Sequence, residues 1–237
     1  MSTSPLSAPV PGQRVSSLPR PYWSGRADEQ GQWRTRAGES LRPPGEDLSA
    51  LRAGLGKKAF TEPRLWPYYT TPTDGRVTPE LEAEHAALAL YGLHQQSQEQ
   101  PMHRQGVRTG RALRALHQRY SEEATDRRVA QAVGATSAAA FAYRLRALVT
   151  QLRSIGQPLD YDQLMHDLLH WHFPDGRSRV RRGWVLATTA AIASPTKPRP
   201  SKAPSPPRLL SRARDHRRSA HEPRLFMPLV RHQPHSE

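Results

Sequence analysis

The sequence predicts an all-α protein: an irregular bundle of about seven helices in two lobes, about 46–120 and 121–185, with disordered termini. Three observations carry this. Apolar residues recur at three- and four-residue spacing in one segment after another. Capping residues and Gly or Pro stops bracket those segments. Alternating strand patterns are nearly absent.

Residues 1–21 are rich in Ser and Pro and read as a disordered leader. Trp23 and Trp33 follow amid polar residues, as anchors for an irregular segment. Residues 46–55 form a short amphipathic helix with Leu48, Leu51 and Leu55 in line and Gly56 as its stop. The run TEPRLWPYY is a turn or short helix that plants Trp66 and Tyr69. Thr78 then opens the clearest helix start: Thr is the cap, Pro79 fits the first turn, and Glu80, Glu82 and Glu84 complement the positive end of the dipole. The following AALALYGL is apolar almost all round, which predicts a central buried helix to about Ser97.

After the connector QEQPMHRQG, a helix is expected over about 107–120, with Leu113, Leu116 and Tyr120 on one side and Arg108, Arg111 and Arg119 roughly opposite. Ser121 caps the next helix, with Val129 and Val133 inside. The run from Ala138 to Ile155 places Phe141, Leu145, Leu148, Leu152 and Ile155 on one stripe. Arg146 and Arg153, two turns apart, point away from it, and Arg144 lies on the flank. Asp160 with Gln163 makes a capping-box-like start for a helix burying Leu164, Leu168 and Trp171 and ending near Pro174. A last helix begins near Arg177. From about 186 onward, frequent proline without sustained periodicity reads as a disordered basic tail.

Net charge is +14 and the pI about 11.0, which points to a polyanionic partner. Lys occurs only at 57, 58, 197 and 202, so the charge is nearly all Arg, which grips phosphate bidentately. An Arg-rich, Lys-poor composition also follows from a GC-rich genome, but that does not explain where the arginines lie. With no cysteine, disulfides and thiolate chemistry are excluded, and the reducing cytoplasm is the expected location. No signal-peptide core and no membrane-length apolar stretch is present.

The sharpest enzymatic pattern is His166-Asp167-Leu168-Leu169-His170, two histidines at i and i+4 as in zinc helices. Asp replaces the usual Glu, no third ligand follows at a known spacing, and both histidines fall opposite the apolar stripe, so they read as exposed residues. His85, His94, His103 and His117 lack a motif partner, and no phosphate-binding loop, nucleophile elbow or dinucleotide fingerprint occurs. The expectation is a binding protein with no catalytic residues, metal or cofactor. Its candidate contacts are Arg104, Arg108 and Arg111 on one helix side, the adjacent Arg127 and Arg128, then Arg144, Arg146, Arg153, Arg181 and Arg182. Such a track holds phosphates without reading bases.

The ordered blocks YWSGRADEQGQWRTRAG, PPGEDLSALRAGLG, LWPYYTT, LEAEHAALALYGLHQQS, PMHRQGV, RYSEEATDRRVAQAVGATS, YRLRALVTQLR, PLDYDQLMHDLLHWHFP and RVRRGW resemble the CasB family, most closely its actinobacterial members, over about residues 22–185. That family supplies the small subunit of Cascade, the type I-E CRISPR surveillance complex. The resemblance implies an all-helical, non-enzymatic, basic subunit, present in two copies beside the other Cascade subunits and the crRNA. It also implies contact with the target DNA, including its displaced single strand, and stabilisation of the opened state. By position in the blocks, Arg104, Arg127, Arg128, Arg144, Arg146, Arg153, Arg181 and Arg182 are the residues it points to. The chain departs from the family pattern at Gly183, which interrupts RVRRGW. VLATTAAIAS and a Pro/Arg/His tail replace a short aromatic ending, a composition that out-of-frame reading of GC-rich DNA yields.

Overall fold

A computed structural model describes residues 20–189; the expected leader through residue 19 and the tail from residue 190 lie outside the described residues. Seven α-helices dominate: α1 (Gly45–Arg52), α2 (Pro79–Gln95), α3 (Thr109–Arg114), α4 (Glu122–Val133), α5 (Ala138–Ser154), α6 (Tyr161–His170) and α7 (Pro174–Thr189). Two 3-10 turns, Pro63–Tyr68 and Ala115–Gln118, join them. A two-residue hairpin, β1 (Thr35–Arg36) and β2 (Glu39–Ser40), turns at Ala37 and Gly38. Both have positive φ, as the tight hairpin turn requires.

α2 is the axle. Most of its length is buried, and α1, α5 and α6 pack around it. Its start is the expected one: the Thr78 hydroxyl accepts from the Leu81 amide at 3.3 Å, and Pro79 needs no amide partner. Gly92 lets α1 press onto it, since a Cβ there would sit 2.6 Å from Leu51 Cβ. Gly110 does the same for α3 against α7, where a Cβ would meet Ala187 Cβ at 2.5 Å. Residues from both 46–120 and 121–185 join one continuous apolar core. Within it Phe141 stacks on Trp171 at 3.6 Å between ring centres, with Trp184 5.2 Å from Phe141.

The irregular segment before α1 is held by two acids. Asp47 accepts hydrogen bonds from the Tyr22 hydroxyl (2.6 Å), Arg26 (2.9 Å) and the Tyr68 hydroxyl (2.9 Å). Asp162 accepts from the Trp23 indole (2.7 Å) and the Ser24 hydroxyl (3.0 Å). Trp23 is fully buried against Tyr91 and Tyr161. Trp33 is half-buried and donates to the Glu99 carbonyl. Both expected anchors are therefore in place.

Several expectations change. Trp66 is 52% exposed, and Leu65 is the residue its turn buries. The helix expected over 107–120 is shorter: α3 ends at Arg114 and tightens into the second 3-10 turn. Asp160 caps α6 through the amides of Asp162 and Gln163, but Gln163 reaches forward to Asp167 instead of closing a capping box. Pro174 is the first residue of α7, where a missing amide costs nothing, so this helix starts three residues before Arg177. It then runs through Gly183, where a Cβ would meet nothing within 4 Å, and past residue 186 to Thr189, burying Trp184 and Thr188. The expected boundary near 185 thus lies inside a helix. Among the described residues, no helix is long and apolar enough to cross a membrane.

Candidate nucleic-acid interface

The predicted arginines divide by what their guanidinium groups meet. Three are used within the fold. Arg153 is half-buried and donates to the Leu93 carbonyl (3.3 Å) and Gln96 Oε1 (3.0 Å), tying α5 to the end of α2. Arg181 donates to the Ala135 carbonyl (2.9 Å) and lies 5.6 Å from the centre of the Trp171 ring, locking α7 onto the α4–α5 turn. Arg144 is exposed but donates to the Gln131 carbonyl near the end of α4. On α4, Arg127 pairs with Glu123 at 2.6 Å one turn earlier, and Arg128 reaches the Ala124 carbonyl at 3.4 Å.

The other five, Arg104, Arg108, Arg111, Arg146 and Arg182, are exposed and pair with no acid among the described residues. Arg104 lays its methylenes over Gly31, whose missing side chain leaves the room. Arg146 stands at the rim of a cleft between α5 and the loop after α1.

Arg108 belongs to a different constellation. It shares the lining of a depression of about 300 Å³ between α3, α6 and α7 with Arg179, His166 and His170. The floor includes Trp184 and the Thr109 hydroxyl, which is buried without a hydrogen-bond partner. His166 has its pKa lowered, first by partial burial and then by the positive fields of His170 and Arg179. Four cationic or protonatable groups thus crowd one depression, and their repulsion would be relieved by an anion. Arg111 and Arg114 follow Arg108 at three-residue steps along α3.

Arg179, His166, His170 and Arg114 were not anticipated as contacts. Starting α7 at Pro174 would have placed Arg179 one turn before Arg182 on the same helix. The two histidines, dismissed as metal ligands, have rings 4.0 Å apart, and His170 Nδ1 bonds the His166 carbonyl at 2.8 Å. Asp167 between them points inward. It accepts from the Trp184 indole at 2.7 Å and from Gln163 at 3.0 Å, and burial pushes its pKa up. It is a helix-packing acid, badly placed for a general base.

His103, Asp160 and Asp162 bring one ligand atom each within 4.8 Å of one another. Their hydrogen bonds fit an architectural role better than a cation. Asp160 already accepts from the amides of Gly106, Asp162 and Gln163. His103 Nδ1 accepts from the Tyr161 amide, which assigns the proton to Nε2, the nitrogen facing Asp162 at 3.8 Å. A protonated ring nitrogen does not ligate metal.

Against known proteins, the family model for CRISPR-associated protein Cse2 matches residues 47–187. The crystal structure of CasB from Thermobifida fusca is similar at 32% identity and a TM-score of 0.51, covering 61% of this chain and 84% of that one. No curated protein matches. The matched span runs from α1 into α7 and contains every helix that frames the cationic depression; by this match, the chain belongs to the CRISPR-associated Cse2 family.

Proposed function

We propose that this chain is a non-catalytic subunit of a type I-E Cascade complex that holds nucleic acid without sequence preference. In this reading it stabilises the target DNA opened by crRNA in antiviral defence. Its partners are the other Cascade subunits, the crRNA, the target DNA with its displaced strand, and a second copy of itself. The single observation that carries the reading is the depression where Arg108 and Arg179, neither paired with an acid among the described residues, converge with two histidines. Arginines of this kind attract phosphates by charge and bidentate hydrogen bonds and leave base identity unread. Arg104, Arg111, Arg146 and Arg182 extend the surface, and Arg127 and Arg128 contribute at its margin. Arg144, Arg153 and Arg181 position helices.

The test is single-stranded DNA binding as a function of salt. Each phosphate neutralised contributes about 0.7 to the slope of log K against log salt. Arg108→Ala with Arg179→Ala should reduce the slope by about 1.4 and weaken binding to every sequence alike. An unchanged slope, together with failed assembly into the complex, would favour a purely architectural subunit whose arginines meet acids of neighbouring subunits.

A further inference from the structure

A second cleft lies elsewhere, between the loop after α1, the flank of α2 and the first half of α5, with a volume of about 410 Å³. Alanines line it from both helices: Ala83, Ala86 and Ala89 from α2, and Ala138, Ala139 and Ala142 from α5. Their short methyl side chains give the slot apolar walls. Its rim is cationic and aromatic. Lys58 and Arg146 are exposed and pair with no acid among the described residues, whereas Lys57 pairs with Glu62. Tyr143 stands beside them 70% exposed, the most exposed large apolar side chain among the described residues. The carboxylate in the lining is Glu82, 3.6 Å from His172.

We propose that this cleft takes one unpaired base of a single-stranded nucleic acid, resting on the nucleic-acid reading above, while Lys58 and Arg146 hold the flanking phosphates. A base has two flat apolar faces and a polar edge. The alanine walls suit the faces, and Tyr143 at the mouth offers a ring on which a base stacks. The Glu82–His172 pair offers an acceptor and a donor to the edge. Charge orients the nucleotide: the half-exposed Glu82 carboxylate repels phosphate from its side of the cleft, and Lys58 and Arg146 attract it. Stacking of this kind is tolerant of sequence, because every base has a π-face. The cleft therefore adds affinity for single strands over duplex without adding base specificity.

The experiment compares the full chain binding an oligo-dT and an abasic oligonucleotide of equal length at matched salt, by fluorescence anisotropy. The two carry the same phosphates, so only bases differ. Oligo-dT should bind about tenfold more tightly. Tyr143→Ala, at a site 70% exposed, and Ala142→Leu, placed to fill the slot, should each bring oligo-dT down to the abasic affinity. Neither should move abasic binding or its salt slope. Arg146→Ala should weaken both ligands equally. Equal affinity of the unmodified chain for the two, or a preference that survives both variants, overturns the base-binding cleft and leaves the phosphate-binding proposal standing. Failure to bind either ligand at low salt overturns both.

Discussion

Around Asp47 and Asp162, five donors find acceptors inside the chain: Tyr22, Arg26 and Tyr68 on one acid, Trp23 and Ser24 on the other. Around the depression between α3, α6 and α7, Arg108, Arg179, His166 and His170 line the same space with no acid among the described residues to answer them but the inward-turned Asp167. The first region pairs its polar groups within the chain, and the second is where the proposed ligand would pair them. That difference is a better guide to architecture and proposed interface than the density of arginine is, since Arg26 meets an acid of its own chain and Arg108 meets none among the described residues.

If the comparison holds, truncation in the first region costs stability and truncation in the second costs binding. The largest effect should come from Trp23→Ala. It removes a fully buried indole packed on Tyr91 and Tyr161 and strips Asp162 of its shortest hydrogen bond. The expected loss is about 3–5 kcal/mol, read as a lower urea midpoint at unchanged slope. Arg108→Ala with Arg179→Ala should stay within about 0.5 kcal/mol in the same assay. A large loss from the double variant would show that the depression is part of the folding framework and would break the comparison.

Acid should reveal the interior side next. His94 is fully buried beside Tyr161, and burial holds its pKa down to about 3. In the unfolded chain it titrates near the usual value of about 6.5, so between these limits the unfolded state binds a proton that the folded state refuses. Stability should therefore fall as pH drops from about 6.5 toward 3, by about 1.4 kcal/mol per pH unit from this group. Urea titrations across that range should show a shallower dependence for His94→Gln, by about one proton. An unchanged dependence would mean that His94 does not supply it.

Two of the three arginines of α5 sharpen the contrast inside one helix. Arg146 and Arg153 are two turns apart on the same side, yet only Arg153 meets the carbonyl end of α2. Arg153→Ala leaves the Leu93 carbonyl and Gln96 short of a partner and should cost about 1–3 kcal/mol. Arg146→Ala should leave stability alone and lower DNA affinity.

This pair also marks how far the sequence could be read. Helix starts were legible at Thr78, Ser121 and Asp160, because a cap is a local hydrogen bond between a side chain and an amide two or three residues on. The stripe of α5 was legible because burial repeats with the helical period: Phe141, Leu145, Leu148 and Leu152 are all buried. The fate of an individual arginine was not, since a helical wheel tells which side is polar and says nothing of which neighbour covers it. Arg181 is tied to α4 and α5 by residues 46 positions away, and no local pattern encodes that. Residues 174–176 misled for a simpler reason: proline stops one helix and starts the next equally well, and here it starts α7.

The smallest effect should lie in the histidines of the depression. His166 holds its proton less readily than a free imidazole, because burial and the positive groups His170 and Arg179 oppose the charge. Asp167 pulls the other way, from a carboxyl whose own pKa is raised by burial. Lowering the pH below the ordinary histidine range therefore adds positive charge where phosphate is expected, and single-stranded DNA affinity should change little from pH 8 to about 6.5 and rise as the solution is acidified further. The bound phosphate would itself favour the protonated ring, so the midpoint should sit higher with DNA than without, measurable from the imidazole proton resonances. His166→Ala should flatten the affinity profile and leave binding at pH 8 nearly intact, because the neutral ring carries little of the attraction there. A profile that stays as steep in this variant would place the titrating contact outside the depression. It would also reduce the interface to its arginines.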